Sequence, residues 1–334
     1  MSEQSTGTTL TIEDGEMSQI PKSFIFDGMT LPIPIFVRLK EHTYLMISKK
    51  GDKAQVSNLK SFKNDNFRVY VRAAEKFILT SFIESLTEKT IDNPGVTVEK
   101  KNQFIAGLLD ESFQDLEKAQ FTSIARLKSA GSLVVKLSAQ VPSLAKALEI
   151  MEAQSPSESK HAMMTCMVSM LLAEEASMLN NLVQDKLAVG ALLHDVGMKF
   201  IPAAIVQKPR HEWSAEELTI YQTHPIKGAE ALRHIQGMSV EVLMIVAEHH
   251  ELSNGTGYPK NIRDVRINNL AKIVGLADQF CELVSNSEGQ TYSADQAVAY
   301  IENVLGQPYN KGLFSSLKNL VNVQMLADKM KKTS

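Results

Sequence analysis

Seven of the eight histidines in this chain fall between residues 161 and 250, a window of little more than a quarter of its 334 residues. Imidazole is a ligand for borderline divalent ions and a proton carrier near neutral pH. Taken singly, each of these histidines has a surface or satisfied core position as its commonest fate, and the carboxylates beside them are what change the argument. In Ala191-Leu192-Leu193-His194-Asp195-Val196-Gly197, Leu187 and Ala191 bring His194 round to the apolar face of a helical run, and Asp195 follows directly. A carboxylate next to an imidazole at a buried helix end is unfavourable unless a cation offsets it, and a divalent metal is the obvious candidate.

Four further elements carry the same signature. Glu248-His249-His250-Glu251 ends the helical run SVEVLMIVAEHH, where Val242, Ile245, Val246 and His249 share a face, and adjacent imidazoles there can reach one cluster if the last turn loosens. Thr223-His224-Pro225 puts a proline in the first turn of IKGAEALRHI and leaves His224 at its start. His161 opens HAMMTCMVSMLLAEEASM, and Asp278 is an orphan carboxylate among Val274, Ala277 and Cys281. Five histidines and two aspartates from five helices are enough for two ions of imidazole and carboxylate type, which suits iron, manganese or zinc better than calcium. His211 and His234 lack such surroundings and read as surface residues.

Those side chains need a helical scaffold, and the sequence supplies one. Apolar residues make up 44% of the chain and charged residues 22%, which suits a globular protein with a real core, and the length suits two domains. Lys plus Arg number 35 against 38 Asp plus Glu, leaving no broad basic field for a nucleic-acid backbone, so DNA is not an expected partner. Cys166 and Cys281 are far apart and indicate reduced thiols rather than a disulfide framework. No apolar run is long enough to span a bilayer, so a cytoplasmic location is expected.

Residues 1–20 carry Glu3, Glu13, Asp14 and Glu16 and read as a polar tail. Residues 21–150 read as an accessory domain, a small sheet followed by connecting helices, and 151–334 as the metal-binding helical domain. The strand-like stretches are 24–27, 31–39, 44–48 and 67–71, with Pro32 and Pro34 suiting an edge strand. Helical spacing follows over 74–88, 102–118 and 121–151. Met163, Met164, Met167 and Met170 read as adaptable core filling.

Taken in order, His161, His194-Asp195, His224-Pro225, His249-His250-Glu251 and Asp278, with Asn254-Gly255-Thr256-Gly257-Tyr258-Pro259 between the last two, closely resemble the HD-GYP family. This is a branch of the HD-domain metal-dependent phosphohydrolases whose usual substrate is cyclic di-GMP. The resemblance covers about 155–290 and implies a mainly α fold: a C-terminal all-helical HD-GYP bundle, here preceded by a small α+β N-terminal domain. It further implies a dinuclear centre in which Asp195 bridges, His161, His194 and Asp278 complete one site, and His224, His249 and His250 the other. Asp195 and His194 would carry catalysis, with a hydroxide held between the ions attacking the phosphodiester. Gly255, Gly257, Tyr258 and Pro259 would form a substrate or partner loop, joined by Lys199.

The departures from the family pattern bear on substrate binding. Where members read HDxGK, Met198 stands at the lysine position and Lys199 one step on. Asn254 replaces the usual Asp, and the Arg and Lys that tend to follow the last aspartate are Ser287 and Gln290. A third metal would call on a carboxylate one turn before His161, where Ser157 stands with Glu158 beside it. Loss of charge-assisted contacts of this kind costs on the order of 1.5 to 3 kcal/mol each. Two functions therefore stay open: a phosphodiesterase, weak or altered in specificity, and a catalytically degenerate metal-containing signalling module. The latter would dock a partner such as a diguanylate cyclase through the GYP loop, and homodimerisation through the connecting helices is plausible by analogy. An enzyme would need Lys199, Lys260, Arg263 or Lys272 to supply the missing cation.

Overall fold

A computed structural model describes residues 8–25, 28–54, 68–117, 123–141, 143–152, 158–285 and 291–332. The chain divides into two compact units, Met1–Gln114 and Asp115–Ser334. In the first, strands β1 (Thr9–Thr11), β2 (Met17–Ile20), β3 (Ile35–Lys40), β4 (Thr43–Ser48) and β5 (Val69–Arg72) form a sheet of order β1-β4-β3-β5-β2. The strand pairs are all antiparallel. Helix α1 (Lys76–Ile91) follows, then α2 (Val98–Glu117).

Two expectations fail here for physical reasons. Of the expected polar tail, residues 8–20 are part of the sheet: β1 and β2 occupy its two edges, with Met17 and Ile20 buried, while residues 1–7 lie outside the described residues. The acidity that suggested a tail is what fastens it: the Asp14 carboxylate accepts hydrogen bonds from the Tyr44 hydroxyl at 2.7 Å, from the His42 backbone N–H at 3.3 Å, and from Arg38. The prolines mark no edge strand. Pro32 and Pro34 precede β3, which starts at Ile35 and takes the central place in the sheet, where a proline could not serve the ladder. Under the sheet, Met17, Phe36, Tyr44 and Tyr70 form an apolar cluster in which the two tyrosine rings meet edge to face at 5.4 Å.

The second unit is helical: α3 (Ser123–Ser138), α4 (Leu144–Glu152), α5 (Glu158–Glu175), α6 (Gln184–Leu193), α7 (Ala203–Val206), α8 (Ala215–Tyr221), α9 (His224–Arg233), α10 (Val240–Glu248), α11 (Asn269–Val284), α12 (Ala294–Asn303) and α13 (Lys311–Lys332). The expected helical stretch over 121–151 is two helices, α3 and α4. Helix α5 lies at the centre, against α3, α4, α6, α11 and α13. Its Met163, Met164, Met167 and Met170 are buried, as core filling requires.

Local signals set the helix ends that matter. Ser214 and Glu217 make a reciprocal capping box at α8, and the Asn268 side chain accepts from the Leu270 and Ala271 amides at 2.9 and 3.3 Å to start α11. The buried Glu248 carboxylate accepts the Asn268 amide at 2.9 Å and so ties the start of α11 to the end of α10.

Truncating the fully buried Phe36 to Ala should lower the stability of the sheet-bearing unit by about 3–5 kcal/mol. A urea titration followed by circular dichroism would measure it, and a loss below ~1 kcal/mol would show that the sheet is not organised around this ring.

Candidate metal centre

Each sequence-selected histidine comes from a helix or its end, and all of them point at one carboxylate. His161 lies in the first turns of α5, His194 and Asp195 follow α6, His224 begins α9, His249 and His250 form a turn after α10, and Asp278 sits mid-way along α11. Asp195 Oδ2 faces Nε2 of His194 at 3.4 Å and of His161 at 3.9 Å. Its other oxygen, Oδ1, faces Nε2 of His224 at 3.2 Å and of His249 at 3.6 Å. Asp278 Oδ1 lies 2.9 Å from His161 Nε2 and 3.4 Å from His194 Nε2. Two groups able to hold an ion result, His161-His194-Asp195 and Asp195-His224-His249-His250, and Asp195 is common to both.

The ring tautomers follow from the backbone. His194 Nδ1 lies 2.7 Å from the Ala191 carbonyl, His224 Nδ1 2.9 Å from that of Tyr221, and His249 Nδ1 2.9 Å from that of Val246. A carbonyl can only accept, so each Nδ1 carries a proton and Nε2 is the nitrogen that ligates when the ring is neutral. His224 Nε2 stands 3.4 Å from His249 Nε2, so two nitrogens and Asp195 Oδ1 converge with more lone pairs than protons. Asp195 Oδ1 and Nε2 of His194 and of His250 are buried without a hydrogen-bond partner. Unsatisfied buried polar atoms cost about 1–3 kcal/mol each, and a divalent ion is what such a donor set fits.

The two carboxylates draw positive charge into the cluster, either as a proton on His194 or as a metal ion. Burial opposes a charged His194 ring, but Asp195 and Asp278 outweigh it and raise its pKa well above the ordinary value. Burial would lift the Asp195 carboxyl, yet the surrounding imidazoles hold it well below its usual range. His249 and His250 are pushed down, mainly by burial, which keeps them neutral and able to donate a lone pair.

Three glycines set the ligand backbones. A Cβ on Gly197 would fall 1.9 Å from the His224 carbonyl oxygen, one on Gly275 2.1 Å from that of His249, and one on Gly257 2.4 Å from that of His250. Each candidate ligand on that side of Asp195 is thus packed backbone to backbone against a residue with no side chain.

Met198 and Lys199 lie in a 3-10 helix, Val196–Phe200, where one step turns the side chain by about 120°, so Lys199 does not inherit the direction of Met198. Ser157, Ser287 and Gln290 lie outside the described residues. In the 251–262 loop the buried Glu251 accepts the Lys260 and Ile262 amides at 2.6 and 3.0 Å. Asn254 Oδ1 accepts from the Thr256 amide and hydroxyl, a role an aspartate would fill equally. Gly255 adopts a positive φ of 82°, and the Tyr258–Pro259 bond is cis. The half-buried Tyr258 ring stacks on His250 with centroids 4.6 Å apart, and Gly257 is buried, while Thr256 and Lys260 are exposed. His211 and His234 are exposed, away from the cluster.

A model of the family described as HD domain matches residues 140–311, just over half of the chain. This chain belongs to the HD domain family. It falls in the HD-GYP branch, as its motif order indicates. A cyclic di-GMP phosphodiesterase of Pseudomonas aeruginosa is 28% identical over 177 residues, 52% of this chain and 42% of that protein. A cyclic di-GMP phosphodiesterase response regulator of Xanthomonas campestris is 33% identical over 115 residues, 34% of this chain and 30% of its own length. A 3'3'-cGAMP-specific phosphodiesterase of Vibrio cholerae is 27% identical over 167 residues, 50% of this chain and 37% of that protein. The chain therefore spans less than half of each of these relatives. Among solved structures, an HDG"Y"P protein from Bdellovibrio bacteriovorus aligns with a TM-score of 0.73 at 20% identity, over 92% of this chain and 99% of that one, a likeness of fold. No described helix is long and apolar enough to cross a membrane.

Sequence reading missed the glycine contacts and a group made by Arg210, Tyr221 and Glu282. The Tyr221 ring packs 4.9 Å from His224, and its hydroxyl accepts from Arg210 Nη2 at 3.0 Å. Arg210 also pairs with Glu282, one turn beyond Asp278 on α11. Tyr221 had a usable signal, lying one turn before His224, whereas Arg210 is a single charge in a polar loop.

Gly275→Ala should force α11 away from His249 and reduce the metal bound per chain, with about 1–3 kcal/mol of lost stability. Elemental analysis beside a thermal melt would check it, and full metal content in a stable variant would show that the close approach is dispensable.

Proposed function

We propose that the chain is a dinuclear-metal phosphodiesterase that hydrolyses cyclic di-GMP or a related cyclic dinucleotide. The observation that carries this reading is the carboxylate of Asp195, whose two oxygens face two separate sets of imidazoles. Asp195 would bridge, with His161, His194 and Asp278 completing one ion site and His224, His249 and His250 the other. The imidazole-rich set favours iron, with manganese and zinc compatible. When bound, two such ions supply a nucleophilic water at neutral pH and neutralise charge developing on the phosphoryl oxygens.

The chain's own residues prepare that reaction. The backbone carbonyls of Ala191, Tyr221 and Val246 hold three rings in the ligating tautomer. Tyr258 is kept protonated by burial, which pushes its phenol far up, so it remains a donor beside His250. Residues 151–334 form the catalytic unit in this reading and 21–150 an accessory one, working in the cytoplasm, where the buried free thiols of Cys166 and Cys281 stay reduced.

A second reading is favoured by the engaged state of two candidate cations, Lys260 and Lys272. Lys260 Nζ lies 3.5 Å from Glu248 Oε1 and Lys272 Nζ 3.3 Å from Asp264 Oδ1. A metal-containing interaction module, docking a signalling protein through the 254–260 loop, needs neither lysine for phosphate.

Protein loaded anaerobically with ferrous iron or manganese should convert cyclic di-GMP to linear product on chromatography. The activity should fall to background after chelation or in Asp195→Ala. Intact nucleotide in the presence of two bound ions per chain would reject turnover of this substrate and favour the interaction module.

A further inference from the structure

A cyclic dinucleotide carries two phosphates, and this inference rests on the phosphodiesterase reading above. Met198 brings no charge, Lys272 pairs with Asp264 with its side chain only 9% exposed, and Lys260, half exposed, lies 3.5 Å from Glu248. Arg210 is placed differently. Its Cζ lies 5.2 Å from the centroid of Tyr221, and the Tyr221 ring lies 4.9 Å from that of His224. Across His224, with ring centroids 5.1 Å from it, stands His250. Tyr221, in contact with both Arg210 and His224, therefore puts the arginine one side chain away from His224 in one half of the cluster.

Its carboxylate partner reaches the other half. Arg210 Nη2 and Nη1 lie 2.5 and 3.3 Å from the two oxygens of Glu282, whose side chain is 16% exposed against 38% for the arginine. Glu282 is one helical turn after Asp278 on α11, so its charge would repel an incoming phosphate if Arg210 did not offset it. Cation–π contacts with Tyr221 and Trp213, at 5.2 and 6.0 Å, and the hydrogen bond to the Tyr221 hydroxyl restrain the guanidinium, which limits the ordering that a bidentate phosphate contact would demand.

We propose that Arg210 grips the non-scissile phosphate of a cyclic dinucleotide, exchanging part of its pairing with Glu282 for that phosphate. Glu282 then acts as a resting partner that holds the cation beside the metal cluster until substrate arrives. The arrangement makes Arg210 a specificity residue for substrates with two phosphates.

Opposite signs in two variants provide the test, with binding to the metal-loaded protein measured by calorimetry on a hydrolysis-resistant phosphorothioate analogue of cyclic di-GMP. Arg210→Ala should weaken binding by about tenfold or more. Glu282→Gln, which removes the competing carboxylate, should tighten it, and adding Arg210→Ala in that background should reverse the gain. The loss in Arg210→Ala should also be larger for cyclic di-GMP than for bis(p-nitrophenyl) phosphate, a diester with one phosphate. Equal affinity in wild type and Arg210→Ala would overturn the inference and leave the phosphodiesterase reading standing. A metal-loaded wild type that binds no cyclic di-GMP would overturn the inference and reject this nucleotide as the substrate. Should Arg210→Ala lose its metal or its fold, Glu282→Gln decides: tighter binding supports the grip, and equal or weaker binding rejects it.

Discussion

The helical unit is organised around a surplus of lone pairs. Four imidazole Nε2 atoms lie within 3.9 Å of one or other oxygen of Asp195, and the rings of His194, His224 and His249 have their Nδ1 protons drawn away by backbone carbonyls. Such a convergence is unfavourable on its own. It is tolerable where a cation shares the space, and much of the surrounding architecture serves to hold these groups in place despite their mutual repulsion.

Helix ends do most of that holding. His194, His224 and His249 sit where a helix starts or stops, and a side chain there can fold back on a carbonyl of the adjoining turn. The backbone then has to approach closely from the other side, and Gly197, Gly257 and Gly275 allow it. Glu248 and Glu251, carboxylates flanking the histidine pair, have no direct part in the cluster. They bind the amides of Asn268, Lys260 and Ile262 and so set the path of the loop that returns the chain to α11 and Asp278.

Much of the helical unit was legible in the sequence, because apolar spacing, proline at the start of α9 and the grouping of histidines with Asp195 are local signals. The ordered motifs then specified one family. Less legible was whatever depends on an approach between distant segments. Gly197 and Gly275 look like ordinary loop and helix glycines until the carbonyls opposite them are known, and Arg210 meets Glu282 across more than seventy residues of chain. In the sheet, the charge of Asp14 suggested solvent, although its oxygens are satisfied by Tyr44, Arg38 and the His42 amide. Pro32 and Pro34 were correctly seen as unfit for a central ladder, but the strand begins after them and takes the centre.

The carbonyl bonds to the three Nδ1 atoms have a kinetic meaning as well. A ring already fixed by its own backbone loses little freedom when an ion arrives, so capture need not wait for side chains to order. Escape is different, because swinging such a ring aside breaks its bond to the adjoining turn and disturbs a helix end lying against a glycine. An ion held by these rings would exchange slowly, and the metal found in the protein would reflect what was at hand when the chain folded more than small differences in affinity afterwards.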